Sequence, residues 1–286
     1  MRNLEIQTTG GNGIRFGDLT TVPEPIAAII YVSDVTMYLT GASTGIQINS
    51  SGERHFSHVW IEGTQNAASR GIVINRSGGD WFNDIDVVLL GIGISVTPAA
   101  GHLVAWGNFN NVLADTNLSH GFLFGGSGTI LGWSCMRCWS SSNGFAGGVN
   151  HDANASGFRI ERGTGLSFSE SRVINNGGHG FDILSSTADV EINGGVVSSN
   201  CAASPECSTG ARHGINLASV SGARILGVRS GEIFGGATKQ GYGVYVSAGS
   251  NNFNISHNDF RGNSVAGSGI FNGAGTGATR IVQHNN

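Results

Sequence analysis

The chain has almost no lysine: Lys239 stands alone in 286 residues, and charged residues make up only 12%. Its arginines are scattered singly and the net charge is -4, so it lacks the massed positive surface that holds nucleic-acid phosphates. DNA and RNA are excluded as partners. Proline is scarce, with four residues, and there is no Gly-X-Y period, so the 47 glycines do not make a collagen. Disorder is excluded because Ile, Val, Leu and Phe run through the whole chain. Long apolar runs are missing too. Residues 1–5 lead into polar alternation rather than the apolar core of a signal peptide. The stretch 87–106 is free of Asp, Glu, Lys and Arg, but Gly91, Gly93, Pro98 and Gly101 break it into two buried strands around a turn, so no membrane span is expected. The four cysteines fall in two pairs, Cys135/Cys138 and Cys201/Cys207. A small disulfide between Cys201 and Cys207 is expected, with a zinc site and buried free thiols as alternatives.

What the sequence has is a repeat. Glycine followed by apolar-x-apolar recurs at Gly13, Gly45, Gly71, Gly93, Gly121, Gly157, Gly180, Gly214, Gly243 and, more weakly, Gly269. The intervals run from 22 to 36 residues and average about 28. A second strand-like segment follows inside most repeats, as in Leu166-Ser-Phe-Ser, Val190-Glu-Ile-Asn and Phe253-Asn-Ile-Ser. Both segments alternate apolar and polar residues at period two. Asparagine and glycine then mark corners where a left-handed backbone is expected, as at Asn175-Asn176-Gly177-Gly178. Such a unit cannot bury its apolar face alone; stacking coil on coil solves that. The fold predicted is all-β, a right-handed single-stranded parallel β-helix of about 10–11 coils. It forms one domain over 1–286, with longer loop insertions near 133–152 and 198–212.

Gly-Φ-x-Φ strands, asparagine-rich corners and coils of variable length resemble the pectate-lyase-like superfamily of parallel β-helices, and within it bacteriophage tailspikes and capsule-directed spike proteins. That resemblance implies binding, and in many cases cleavage, of bacterial surface polysaccharide by a homotrimer assembled with other virion proteins. It implies a virion or extracellular location. The opening residues read like the middle of a coil and the chain stops just after a strand motif, so a truncated chain or ends covered by partners is expected.

Outward positions of stacked strands form columns with ~4.8 Å between neighbours. Two residues after the motif glycine the column reads Arg15, Gln47, Val73, Ser95, Leu123, Arg159, Asp182, Asn216, Tyr245, Phe271. The adjacent turn position carries His120, Ser156, His179, His213 and Tyr242. This face is the expected sugar groove, with Arg159, His179, His213, Asn216 and Tyr245 as binding residues. Trp133 and Trp139, assigned to a long loop, are added as stacking platforms. Hydrolysis needs two carboxylates, and Glu161 and Asp182, roughly 8 Å apart at ideal spacings, suit an inverting pair. Asp152 and Glu170 are reserves, and a surface charge ladder of Arg159, Glu161, Arg162 and Asp182 is the structural alternative. No cofactor is implied. Asp84-Ile85-Asp86 is the one motif suited to a Ca²⁺ contact, and it reads better as a solvated strand face. The signatures of pectate lyases and polygalacturonases are missing apart from Gly178-His179-Gly180.

The expected function is a carbohydrate-directed phage spike that binds, and in one version cleaves, capsule or O-antigen. The alternatives are a secreted polysaccharide lyase, hydrolase or epimerase of the same fold, and a non-enzymatic structural or adhesin solenoid.

Overall fold

The computed structural model describes residues 2–19, 27–146, 150–202, 211–233, 240–265, 269–275, 277 and 279–286. Among them there is no helix, and apart from one short hairpin and one isolated antiparallel bridge, Gly277 with Arg280, all pairing is parallel. The chain winds as a β-solenoid of about nine coils. That is fewer than the 10–11 expected, because ten stacked Gly-Φ-x-Φ strands bound only nine turns.

Each coil has three principal sheets. The first is the Gly-Φ-x-Φ column, which includes Ile92–Val96, Phe122–Phe124, Ile215–Leu217, Val244–Val246 and Ile270–Asn272. A short side leads to the second sheet, which includes Ser134–Met136, Arg224–Leu226 and Phe253–Ser256. One corner residue later comes the third, with Trp139–Ser141, Arg172–Ile174 and Val196–Ser198. Long strands such as Phe158–Ser169 and Phe181–Asn193 run from the first sheet around into the second.

The interior is a stack of aromatic and β-branched side chains. Phe122, Phe158 and Phe181 lie nearly parallel with centroids 4.4 and 4.7 Å apart, and Phe56 stacks on Phe82 at 4.7 Å. The motif glycines leave room for this. None has a positive φ; a Cβ at Gly93 or Gly180 would instead sit 2.6 Å from the carbonyl oxygen of the next motif glycine. Their role is close approach rather than turning.

Left-handed backbone falls to other residues. At the corner between the second and third sheets, Asp34, His58, Asp84, Asn111, Arg137 and Glu170 all have φ between 51° and 55°. At the next corner Thr116, Ser142, Asn175 and Ser199 have φ between 50° and 58°. The residue after each of these is a fully buried asparagine: Asn117, Asn143, Asn176, Asn200. Each side-chain nitrogen donates to the Oδ1 of the next, at 2.8, 2.8 and 2.9 Å, while that Oδ1 also accepts a backbone N–H. Buried amides need such partners, and the ladder supplies them coil by coil.

Two buried features correct the sequence reading. Trp133 is 1% exposed, packed against Phe109 with centroids 5.1 Å apart. Its indole lies over Gly107 and offers no face to a sugar. The stretch 133–152 is therefore not one insertion: Ser134–Met136 and Trp139–Ser141 are regular strands, and the excursion is the hairpin Phe145–Ala146 with Asn150–His151. Cys135 and Cys138 form a buried disulfide across the corner at Arg137. Cys201 is also disulfide-bonded; Cys207, its expected partner, lies outside the described residues. Unflagged by any motif, Arg54 and Asp80 make a fully buried ion pair at 2.8 Å, with Ser77 donating to the other Asp80 oxygen at 2.5 Å. Burial pushes the Asp80 carboxyl upward against the pull of Arg54 and Ser77.

Candidate functional site

The outward column of the first sheet stacks in the register the repeat predicts. Leu123 pairs with Arg159, Arg159 with Asp182, Asp182 with Asn216, Asn216 with Tyr245, and Tyr245 with Phe271. The turn column stacks beside it: Gly157 N–H donates to the His179 carbonyl, Gly180 N–H to that of His213, and Gly214 N–H to that of Tyr242.

Polar groups occupy the middle of this face. Arg159 pairs with Asp182 through Nη1 and with Glu161 through Nε at 3.3 Å. Asn216 donates to the other Asp182 oxygen at 2.8 Å. Asp182 is almost fully buried, whereas the Glu161 side chain is 43% exposed. Burial would push the Asp182 carboxyl up, but the field of His179, the Asn216 amide and the Arg159 guanidinium outweigh it and hold the group below the ordinary carboxylate range. Both candidate carboxylates thus reach one guanidinium. Of the reserves, Asp152 lies beside the hairpin and caps the Asn154 backbone N–H at 2.9 Å, while Glu170 sits at the far corner between the second and third sheets.

Histidines line the rim. The Nδ1 of His120 accepts from the Ser156 backbone N–H at 3.1 Å, and that of His179 from the His213 N–H at 2.9 Å. An accepting Nδ1 requires the neutral ring with its proton on Nε2. Burial lowers the pKa of His120 and His179 to about 4, and that of His213 to about 3. Among the described residues, His213 Nδ1 is buried without a hydrogen-bond partner.

Past His213 the face becomes aromatic. His213 stacks on Tyr245 at 4.5 Å and 7°, and Tyr245 on Phe271 at 4.7 Å and 9°. Tyr242 tilts against His213 at 5.3 Å and against Phe271 at 5.5 Å. Phe271 is 38% exposed. Arg159, Asp182, Asn216, Tyr245, His179 and His213 therefore come together as one strip. Trp139 does not join them; it points outward from the third sheet, with Arg172 over its ring at 5.4 Å. The sequence reading missed Arg212, whose guanidinium donates to the Ala153 carbonyl at 2.8 Å and to Asn154 Oδ1 at 3.1 Å, fastening the hairpin side of the strip. Its place beside His213 was the available signal. Among the described residues, Asp84 and Asp86 belong to no group of three His, Cys, Asp or Glu side chains that could hold a metal ion.

No protein-family model and no curated protein matches the chain. Among solved structures it is similar to pectate lyase Pel9A, at 14% identity over 92% of this chain and 80% of that one, with a TM-score of 0.53. It is also similar to the A-module of the Azotobacter vinelandii mannuronan C-5 epimerase AlgE4, at 13% identity over 99% of this chain and 90% of that one, TM-score 0.42. The Dettilon tailspike protein matches at 12% identity over 96% of this chain and 61% of its own length, TM-score 0.47. The pectate lyase likeness shows the fold. The chain is a right-handed parallel β-helix.

Proposed function

We propose that this protein is a polysaccharide-binding β-helix whose groove is the first-sheet strip from Arg159 to Phe271. The carrying observation is the in-register passage from ion pair to amide to stacked rings, Arg159, Asp182, Asn216, Tyr245, Phe271, flanked by His213 and Tyr242. An extended glycan needs that combination: hydrogen-bonding groups for its hydroxyls and flat apolar faces for its rings, repeated along one line. The partner we favour is bacterial capsule or O-antigen, with the protein acting as a homotrimeric phage spike; a secreted enzyme of the same fold is the alternative.

The geometry supports binding ahead of cleavage. Both Asp182 oxygens are engaged and the group is held ionised, which suits an anchor for Arg159. If cleavage accompanies binding, Glu161 and Asp182, which share the Arg159 guanidinium, are the carboxyl pair to carry it. Incubating the purified protein with purified capsular and O-antigen polysaccharides, and measuring retention and oligosaccharide release, tests this. Retention is expected. Release abolished by Glu161→Gln and by Asp182→Asn assigns hydrolysis to the pair, and release untouched by both removes it from them. Neither retention nor release would sink the proposal.

A further inference from the structure

Three features singled out in the sequence are not absorbed by the first-sheet strip: Asp84 with Asp86, Glu170, and Trp139. The fold brings them to one place. They line a groove of about 700 Å³ at the corner between the second and third sheets, together with Arg137 and Arg172. A second hollow of about 450 Å³ shares Asp84 and Asp86 with it and continues to Trp60 and Thr36. The register fixes the line: Thr36, Trp60, Asp86, Leu113, Trp139, Arg172 and Val196 are successive partners on the outer face of the third sheet. Six rungs make a furrow roughly 29 Å long, parallel to the solenoid axis.

Its lining is built for contact with something planar and polar. Trp60 is 39% exposed and Trp139 42%, three rungs apart on the same column. Arg172 lies over the Trp139 ring at 5.4 Å and orients it. Asn111 donates to Asp84 at 2.6 Å and Arg137 to Asn110 at 3.0 Å, so the polar walls are held in place from coil to coil. Asp84, Asp86 and Glu170 outnumber Arg137 and Arg172. Burial and the neighbouring Asp84 already push the Asp86 carboxyl up, so this wall disfavours further negative charge.

We propose that this corner is a second saccharide-binding furrow, separate from the first-sheet strip, that takes a glycan free of uronic acid along the solenoid axis, with Trp60 and Trp139 as stacking platforms. Carboxylates and amides accept from sugar hydroxyls or an amino-sugar ammonium, and the exposed indole surfaces, on Trp139 the part that Arg172 leaves open, receive the rings. The furrow does not depend on the first-sheet reading, and the two are separable by experiment.

The test measures retention of purified neutral, amino-sugar-containing and uronate-containing bacterial polysaccharides by four proteins: wild type, the first-sheet variant Asn216→Ala/Tyr245→Ala, and the furrow variants Trp139→Ala and Trp60→Ala. Circular dichroism confirms that each is folded; Trp139→Leu, which keeps apolar bulk without a ring, replaces Trp139→Ala if the latter is not. At least one uronate-free polysaccharide should stay bound to the first-sheet variant and bind at least tenfold more weakly to a furrow variant. The proposal is overturned if no polysaccharide binds, if all binding disappears with the first-sheet variant, if the furrow variants bind as wild type, or if uronate-rich glycans are the ones retained through the furrow. Self-association abolished by Trp139→Ala in light scattering would also overturn it, by assigning the face to a second copy of the chain.

Discussion

At Gly180 a methyl group has nowhere to go: it would meet the Gly214 carbonyl at 2.6 Å and a Val197 methyl at 2.5 Å. Gly180→Ala should lower stability by about 1–3 kcal/mol, read by chemical denaturation, because both neighbours are fixed by the stack. Asn176 is a second such position. Asn176→Ala takes the acceptor from both the Asn143 side chain and the Asn143 backbone N–H. Two donors left buried should lower stability by about 2–5 kcal/mol in the same measurement. The glycines were legible as a repeat, but their reason was not: the spacing marks where the backbone approaches closely, and only the stacked coil shows what it approaches. The left-handed corners were harder still. One column is held by Asp, His, Asn, Arg and Glu in turn, a mixture without a pattern to read. No repeat motif marks the short strand Ser134–Met136 that follows Trp133, and only the stacked coil shows its indole packed over Gly107, one coil earlier.

On the first sheet, sequence and structure agree residue for residue along the outward column, because period-two alternation after a glycine leaves one register that keeps the apolar side inward. The stacking of the candidate strip was legible for that reason. What alternation does not reveal is burial at the turn, and this turn sets the acid response. His120, His179 and His213 have folded pKa values of about 4, 4 and 3, below the ordinary 6.5. The unfolded chain therefore binds the protons more readily. The stability these groups contribute is present above about pH 6.5 and is lost as the pH falls toward 4. Asp182, with its lowered pKa, adds a further loss at lower pH. The melting temperature should fall steadily between pH 6.5 and 4, and His179→Gln should flatten that slope. A slope unchanged by His179→Gln would contradict the assignment.

Over the whole molecule each coil touches chiefly its neighbours, so stability is close to a sum of coil and interface contributions. A defect in mid-stack interrupts two interfaces at once. Phe158 stacks on both Phe122 and Phe181, and Phe158→Ala should cost about 3–5 kcal/mol in denaturation. The scarce charge and near-absence of lysine describe the same object: a rod whose surface is polar mainly through amides and hydroxyls. Its first-sheet strip carries the proposed glycan groove. Its most direct test is the affinity of wild type and Tyr245→Ala for a bacterial polysaccharide that the wild type retains, measured by titration calorimetry. Tyr245 sits between Asn216 and Phe271 and stacks on His213, so its loss should weaken binding at least tenfold without unfolding the coil. An affinity equal to that of the wild type would place the glycan elsewhere and contradict the account.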